Sequence, residues 1–291
     1  MRRAYLLMHI AIVLWGLTAI LGKLISLDEG LLVWYRMLFS ALATGIYLLF
    51  SGGIKGIGKK GLMHLGGIGF LITLHWITFY GAIKASNVSI AISCFSSVAV
   101  FTAILEPLFS GIRPKIRELL LGVAVTTGIF FIFSDSELRF KGIALSLVSA
   151  LLASLFTIFN QRISGKYAAG QIAFFELGTG FLLLSAFLPL WFSINGSTFT
   201  LPGAHDLIYL LILSVFCTTV AFTISLIALQ KIDAFTMNLN VNLEPLYSII
   251  LAVLLFQEHE ELGPGFYIGS ALILCAVTAH GFIKLRAKKI N

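Results

Sequence analysis

Long apolar stretches alternate with short polar gaps along the whole chain. Ten such stretches fall near residues 4–27, 31–51, 62–83, 87–110, 115–134, 142–163, 170–193, 205–230, 235–257 and 265–286. A helix of about 20 apolar residues crosses the hydrocarbon core of a bilayer. In lipid only helices and closed barrels satisfy their backbone polar groups, and the ten-residue alternation of a barrel is absent here. The pattern therefore predicts an all-α integral membrane protein with ten transmembrane helices.

The composition agrees with lipid as the main solvent. Of the 291 residues 58% are hydrophobic and 11% are charged, and the mean hydropathy is +0.99. Soluble domains carry about 25% charged residues, so a soluble protein is excluded. The first apolar run is long and lacks a small-residue cleavage site, which predicts a retained first span rather than a signal peptide. The cysteines Cys94, Cys217 and Cys275 lack metal-binding spacing, so we expect neither a metal nor a cofactor.

Lys and Arg concentrate in alternate loops. Fifteen fall on one side: Arg2, Arg3, Lys55, Lys59, Lys60, Arg113, Lys115, Arg117, Arg162, Lys166, Lys231, Lys284, Arg286, Lys288 and Lys289. Three fall on the other: Lys84, Arg139 and Lys141. Cytoplasmic loops carry the excess of Lys and Arg, so both termini are predicted in the cytoplasm. The net charge of +7 thus reflects topology in the inner (plasma) membrane, and we expect no nucleic-acid partner.

The two halves of the sequence resemble each other in order. Residues 79–90 overlay 225–236, residues 118–132 overlay 265–279, and LVWYR ending at Arg36 overlays IAFFE ending at Glu176. These matches predict two five-helix repeats, 1–134 and 142–287. Because five is odd, the second repeat enters the membrane from the opposite side. Inverted repeats are typical of secondary transporters, whose substrate site lies near midplane between the halves.

Several motifs resemble one transporter family. Trp15-Gly16, Arg36 and the junction FYGAIKASNVSIA are similar to the drug/metabolite transporter superfamily. Leu243-Glu244-Pro245-Leu246, followed by LLFQE at 254–258, resembles its EamA-like family. The resemblance implies export, or sometimes uptake, of small metabolites such as amino acids, often coupled to protons. One departure is that Glu106-Pro107 lies eight residues later than the repeat equivalent of Glu244-Pro245, so we do not expect Glu106 to act as Glu244 does.

Three ionisable residues inside predicted spans are candidates for coupling or gating: Arg36, Glu176 and Glu244. A charge at the bilayer centre costs roughly 2.5–3.5 kcal/mol on insertion scales, so each needs a partner, water or a purpose. Arg36 and Glu176 are repeat-equivalent, but inversion puts them at different depths, so each is expected to serve its own half. Arg36 is either an anchor or a gate and substrate contact, and Glu176 is expected to meet inner-loop Arg or Lys. Glu244 lies near midplane, where a proton-coupling carboxylate is useful, although the repeat alignment points it away from the cavity.

Polar stripes suggest a substrate-binding surface. Ser89, Ser93 and Ser96 share one face of the fourth predicted span. Pseudo-symmetry then places Asn238 and Asn242 of the ninth span beside the same cavity. Hydroxyls and carboxamides suit polar or zwitterionic solutes. The alternative is that these side chains join neighbouring helices.

Three aromatic or titratable residues complete the predicted substrate site. His75 titrates near neutral pH, as a proton relay requires, although a lone His in a span is more often packed by hydrogen bonds. Tyr80 lies one turn beyond Trp76, and Trp15 lies mid-span, where it suggests an aromatic cavity wall.

Together these features predict a secondary-active transporter, an exporter working by alternating access around a midplane site. The expected partners are a small-molecule substrate, membrane lipid and protons, and a monomer suffices because both halves are in one chain. A lipid or lipid-carrier flippase is the alternative within transport, and an intramembrane enzyme is the alternative outside it. Nucleotide-binding and hydrolase motifs are absent, so we expect no enzymatic activity.

Overall fold

The computed structural model describes residues 2–54, 56–111, 116–134, 139–241 and 243–290, and every regular element in those ranges is helical. The helices are α1 (Arg2–Gly16), α2 (Thr18–Leu24), α3 (Glu29–Phe50), α4 (Lys59–Ala85), α5 (Val88–Phe95), α6 (Val98–Ser110), α7 (Ile116–Ser134), α8 (Phe140–Ile163), α9 (Ala169–Asn195), α10 (Ala204–Ser214), α11 (Ala221–Leu229), α12 (Ala234–Val241), α13 (Glu244–Phe256) and α14 (Pro264–Ile290). A π-helical turn, Val215–Val220, joins α10 to α11, and a 3₁₀ turn, Glu258–Glu261, follows α13.

Within the described ranges, seven helical stretches are long and apolar enough to cross a membrane. They are Arg2–Leu24, Glu29–Phe50, Lys59–Ala85, Val88–Phe109, Phe140–Ile163, Ala169–Asn195 and Ala204–Leu229. Shorter apolar helices cover Val123–Ile132, Tyr247–Phe256 and Pro264–Ala276. The predicted all-helical membrane architecture is therefore confirmed, while the count of ten crossings and their orientation stay predictions.

Local side chains and left-handed residues set the helix ends. The Asp28 carboxylate accepts from two backbone N–H groups at the start of α3, and the Asn87 side chain accepts from the Ile90 N–H at the start of α5. Such N-caps satisfy amides that have no partner inside the helix. Gly111 and Gly196 end α6 and α9 with φ of 69° and 65°, a conformation that glycine adopts without strain.

Two central stretches that the sequence predicts as continuous helices are broken. The breaks precede α6 and α13, whose N-cap residues Ser97 and Leu243 lie 146 residues apart, the same offset as in the repeat alignment. Pro245 contributes to the second break because it has no backbone N–H to continue the ladder. Helices broken at membrane depth bring unpaired backbone groups towards the centre of a transporter. In the apolar 18-residue window of Val88–Phe109, 78% of the residues are buried, against 22% in the window of Ala169–Asn195, so a broken helix lies at the centre of the fold.

The packing partners correspond between the two halves. Helix α3 packs on α9, and α7 packs on α14. Helix α4 packs on α8, while α11 packs on α1. The broken helices cross, because α5 contacts α13 and α6 contacts α12. Helices α7 and α14 approach through Gly128 and Gly269, where an added Cβ on either glycine would meet the other's carbonyl oxygen.

Candidate functional site

A cavity of about 80 Å³ lies where the broken helices meet α1, α3, α4, α8 and α11, and both halves of the chain contribute to its wall. A single water needs about 10–15 Å³ of such volume, so the cavity has room for a compact solute. Much of the wall is aromatic: Trp15, Trp76, Phe79, Phe95 and Phe156. Trp15 thus lies in the cavity wall, where the sequence predicted it.

Arg36 of α3 places its guanidinium in this wall and is 2% exposed. Its Nε donates to Thr218 Oγ1 at 2.8 Å and one Nη donates to Tyr80 Oη at 2.6 Å. The guanidinium carbon lies 3.8 Å from the centre of the Trp76 ring, a cation–π contact. Within the described part of the chain no carboxylate lies within salt-bridge distance of Arg36. The guanidinium is therefore held by neutral groups, and no carboxylate among the described residues neutralises its charge beside the cavity.

The neighbours of Arg36 are fixed by the local backbone. Tyr80 is fully buried, and its ring occupies the space that a side chain at Gly22 would need. Tyr80 is thus absent from the cavity wall and supports Arg36 from behind. Thr218 lies in the π-helical turn, where its hydroxyl donates to Leu213 O at 2.8 Å. That bond turns the hydroxyl lone pairs towards the Arg36 Nε.

Glu244, the first residue of α13, is 4% exposed and lies in the cavity wall. The repeat alignment pointed it away from the cavity, and the structure differs on this point. The alignment assumed one continuous helix, whereas the break before α13 changes the direction of every later side chain. Glu244 and Arg36 line the same cavity without forming a salt bridge. A carboxylate and a guanidinium thus face one small aromatic cavity.

Of the two predicted asparagines, Asn238 lies in the wall and donates to Thr102 Oγ1 at 2.8 Å. Asn242 lies outside the described residues.

The serine stripe is not part of the wall of this cavity. Ser93 Oγ pairs with Ser270 Oγ of α14 at 3.0 Å, and Ser96 Oγ points back to Ile92 O at 3.4 Å. The Ser89 N–H donates to Glu258 at 2.8 Å. The Ser93 contact agrees with the alternative that these serines join helices, whereas the Ser96 hydroxyl bonds within its own helix.

His75 of α4 lies in the wall and is 8% exposed. Its Nδ1 lies 3.0 Å from Ser149 O and 2.8 Å from Ser149 Oγ, and its ring packs between Phe95 and Phe156 at 5.5 and 5.4 Å. These contacts orient the ring between α4 and α8, so His75 is held in place even though it borders the cavity.

Glu176 of α9 lies behind the cavity and is fully buried. It accepts from Asn160 Nδ2 at 3.3 Å, and Asn160 is itself part of the wall. The expected pairing with inner-loop Arg or Lys is absent among the described contacts. Arg36 and Glu176 are not paired either, which agrees with the expectation from inversion.

Sequence reasoning missed the partners of two further acids. Glu258 forms an ion pair with Lys23 at 2.9 Å and accepts from the Val88 and Ser89 N–H groups. Glu106 accepts from the Phe235 N–H at 3.1 Å. Only the place of Glu258 at the end of the apolar run LLFQE hinted at its burial. Among the described residues no three His, Cys, Asp or Glu side chains could hold a metal.

Comparisons with known proteins indicate a membrane transporter. The sequence model of the EamA-like transporter family matches residues 2–134 and again 140–280. An uncharacterized transporter of Archaeoglobus fulgidus is 23% identical over 94% of this chain and 96% of its own length. The uncharacterized transporter YxxF of Bacillus subtilis is 25% identical over 64% of this chain and 62% of its own. A solved crystal structure covers 98% of both chains with a TM-score of 0.68 at 15% identity, a likeness of fold.

Proposed function

The chain belongs to the EamA-like transporter family, and on that premise we propose that it is a secondary-active exporter of small zwitterionic metabolites such as amino acids. The family and the transporter names of its relatives point to a transporter, not an enzyme. The central cavity is the proposed substrate site.

The observation that carries this proposal is the meeting of Arg36 and Glu244 in one aromatic cavity. An amino acid carries a carboxylate, which suits the planar guanidinium of Arg36, and an ammonium group, which suits Glu244. Aromatic faces such as those of Trp15 and Phe222 attract an ammonium group and accept an apolar side chain. Asn238 adds a carboxamide to the same wall. Each end of a zwitterion would therefore meet an opposite charge.

Alternating access follows from the proposed arrangement of the halves. We propose ten crossings in two inverted five-helix repeats, 1–134 and 142–287, with both termini in the cytoplasm. The corresponding packing partners of the halves and the two helix breaks 146 residues apart support this arrangement. The excess of Lys and Arg on one side supports its orientation in the inner (plasma) membrane. Exchange of the two halves' conformations would open the cavity to each face in turn.

Proton coupling is proposed at Glu244. Its carboxylate would bind either a proton or the substrate's ammonium group, but not both. Export of the substrate would then be exchanged for protons entering the cell. The other partners proposed are membrane lipid around a single chain.

Flux measurements on the reconstituted full chain test this function. We expect saturable counterflow of labelled neutral amino acids in vesicles, weakened by Arg36→Gln. Glu260→Gln, a charge change on an exposed turn, is the matched control and is expected to transport normally. Absence of saturable flux for every neutral amino acid would contradict the proposal.

A further inference from the structure

Glu176 and Asn160 form a buried pair beside the cavity that transport of a zwitterion does not require. Glu176 lies on α9 and is 0% exposed, and Asn160 lies on α8 and is 1% exposed. We propose that Glu176 carries a proton in this conformation and that the two residues are a proton-binding site that opens to the cavity through Asn160.

The hydrogen bonds of the pair are incomplete when the carboxyl group is ionised. Asn160 Nδ2 lies 3.3 Å from one oxygen of Glu176. The other carboxyl oxygen, Oε1, and the amide oxygen of Asn160, Oδ1, are both buried and have no hydrogen-bond partner in the part of the chain that the structure describes. Both atoms are acceptors, so an ionised Glu176 cannot pair with the amide oxygen. Two unpaired buried acceptors in one contact are unfavourable, most of all beside a bare charge.

A proton resolves both defects at once. A protonated carboxyl group has one O–H donor as well as a carbonyl oxygen. The O–H then donates to Asn160 Oδ1 while the carbonyl oxygen accepts from Asn160 Nδ2. This closed pair of hydrogen bonds uses both atoms that the ionised form leaves unpaired, and it leaves no net charge in the buried pair.

The surroundings offer no counter-charge that would favour ionisation instead. Helix α9 packs on α3, α4 and α11, and it meets α8 through Asn160. Helix α11 has no titratable side chain; those flanking this level on the other three helices are Arg36, Tyr47, His64, His75 and Arg162. Arg36 and His75 are buried and hydrogen-bonded elsewhere, whereas Tyr47, His64 and Arg162 are exposed. Among the described residues none of them forms an ion pair with Glu176, whose side chain accepts from Asn160.

The position of Asn160 connects the Glu176 proton with the cavity. Asn160 borders the cavity, so water or substrate that hydrogen-bonds its amide would compete with the pair. When the amide turns to such a partner, cavity water takes its place at the carboxyl group, accepts the proton and hydrates the carboxylate that is left. Proton release at Glu176 is thereby linked to occupation of the cavity, at a residue different from Glu244. This link rests on the proposed transport function, whereas the protonation itself does not.

Infrared spectroscopy of the full chain in lipid vesicles at neutral pH tests the protonation. We expect a carbonyl band of a protonated carboxyl group that disappears in Glu176→Gln and persists in Glu244→Gln. A band that Glu176→Gln leaves unchanged, or no such band at all, would overturn the proposal. Gln provides an N–H donor in place of the O–H, so this variant is expected to keep the fold.

A second variant keeps the test decisive if Glu176→Gln does not fold. Asn160→Ala removes the hydrogen-bond partner but keeps the carboxyl group. We expect the carboxyl band to shift or to vanish through ionisation in this variant, and an unshifted band would count against the pair. Neither readout needs transport, so failure of the band with intact amino-acid counterflow overturns this inference alone. Loss of counterflow for all amino acids with an intact band overturns only the proposed function.

Discussion

Glu258 and Lys23 form an ion pair of 2.9 Å that joins the end of α2 to the turn after α13. Glu258 is 1% exposed and also accepts from the N–H groups of Val88 and Ser89, at 3.0 and 2.8 Å, where α5 begins. A carboxylate at the N-terminus of a helix is favoured both by the unpaired amides and by the helix dipole. At the start of the other broken helix, Glu106 accepts from the Phe235 N–H in the first turn of α12. Each broken helix thus begins on a carboxylate that belongs to its crossing partner.

Glu258→Gln is expected to destabilise the protein by about 1–3 kcal/mol, because an amide group replaces one acceptor by a donor that faces backbone N–H groups. Lys23→Met is expected to cost less, since the Lys23 side chain is 33% exposed and water replaces part of the ion pair. Thermal unfolding in detergent measures both. The exposed Glu260→Gln is the control, and equal unfolding temperatures for Glu258→Gln and Glu260→Gln would show that the cap is unimportant.

Arg36→Lys is expected to weaken substrate binding by tenfold or more, although the charge is kept. A lysine cannot make the two directed bonds to Thr218 and Tyr80 or stack on Trp76. Each hydrogen bond to a charged group contributes about 1.5–3 kcal/mol, and 1.4 kcal/mol is a factor of ten. Tyr80→Phe, which removes one bond and keeps the ring, should give a smaller loss. Substrate affinity by competition in vesicles is the measurement, and an Arg36→Lys affinity equal to that of the parent would refute the anchoring role.

Glu244→Gln is expected to abolish the response of exchange to an imposed proton gradient. A carboxamide cannot bind a proton and an ammonium group in turn, so a proton gradient cannot drive the transport cycle. Binding of cationic and zwitterionic substrates should weaken, while Glu260→Gln should respond to the gradient as the parent does. Uptake measured with and without a gradient tests this, and an undiminished response in Glu244→Gln would place coupling elsewhere.

Gly269→Ala is expected to destabilise the pairing of α7 with α14 by about 1–3 kcal/mol, since the added methyl group meets the Gly128 carbonyl oxygen and the backbones must separate. Gly67→Ala on α4 is the matched control, because a Cβ there meets no other group within 4 Å. Alanine favours a helix over glycine by up to about 1 kcal/mol, so this control should be neutral or stabilising. Unfolding temperatures of the two variants give the comparison; a loss of stability in both would point to a general intolerance of alanine.

Ser93→Ala and Asn238→Leu separate packing from binding. Ser93 pairs with Ser270 outside the cavity, so its loss should lower stability by about 0.5–1.5 kcal/mol and leave substrate affinity unchanged. Asn238 lies in the wall, so its loss should weaken affinity as well. A drop in affinity for Ser93→Ala, measured by the same competition assay, would restore the serine stripe to the substrate site.

The membrane fold could be predicted because it depends on the length and hydropathy of continuous segments of the sequence. The apolar runs mark the helices to within a few residues. Trp15, His75 and Asn238, which the sequence predicts as substrate-binding residues, lie in the wall of the central cavity. What failed was the direction of side chains beyond a helix break. Glu244 was assigned to a face of a continuous helix, and the break before α13 changed its surroundings. The serine stripe precedes the break at Ser97, and the spacing of its residues does not tell which face of α5 meets the cavity.

Contacts between distant segments were the other limit. The Glu258 cap and the Glu176–Asn160 pair each depend on where separate helices meet, and neither periodicity nor composition contains that information. Glu258 shows this limit, because a loop acid and a buried cap look the same in one sequence.

The π-helical turn Val215–Val220 makes this helix sensitive to changes of length. The π-helical turn contains one residue more than an α-helical turn in its place would. It also frees backbone carbonyl groups, and one of them, Ser214 O, accepts from Ser40 Oγ at 3.1 Å. Deletion of a single residue here would restore the ordinary winding and rotate all of α11 by about 100° relative to α10. Thr218 would lose Arg36, and Phe222 and Ser225 would leave the cavity together. Apart from Thr218, which binds Arg36, side chains in the turn can therefore be exchanged during evolution. Deletion of one codon there would separate the residues of the site while leaving the hydropathy of the helix unchanged.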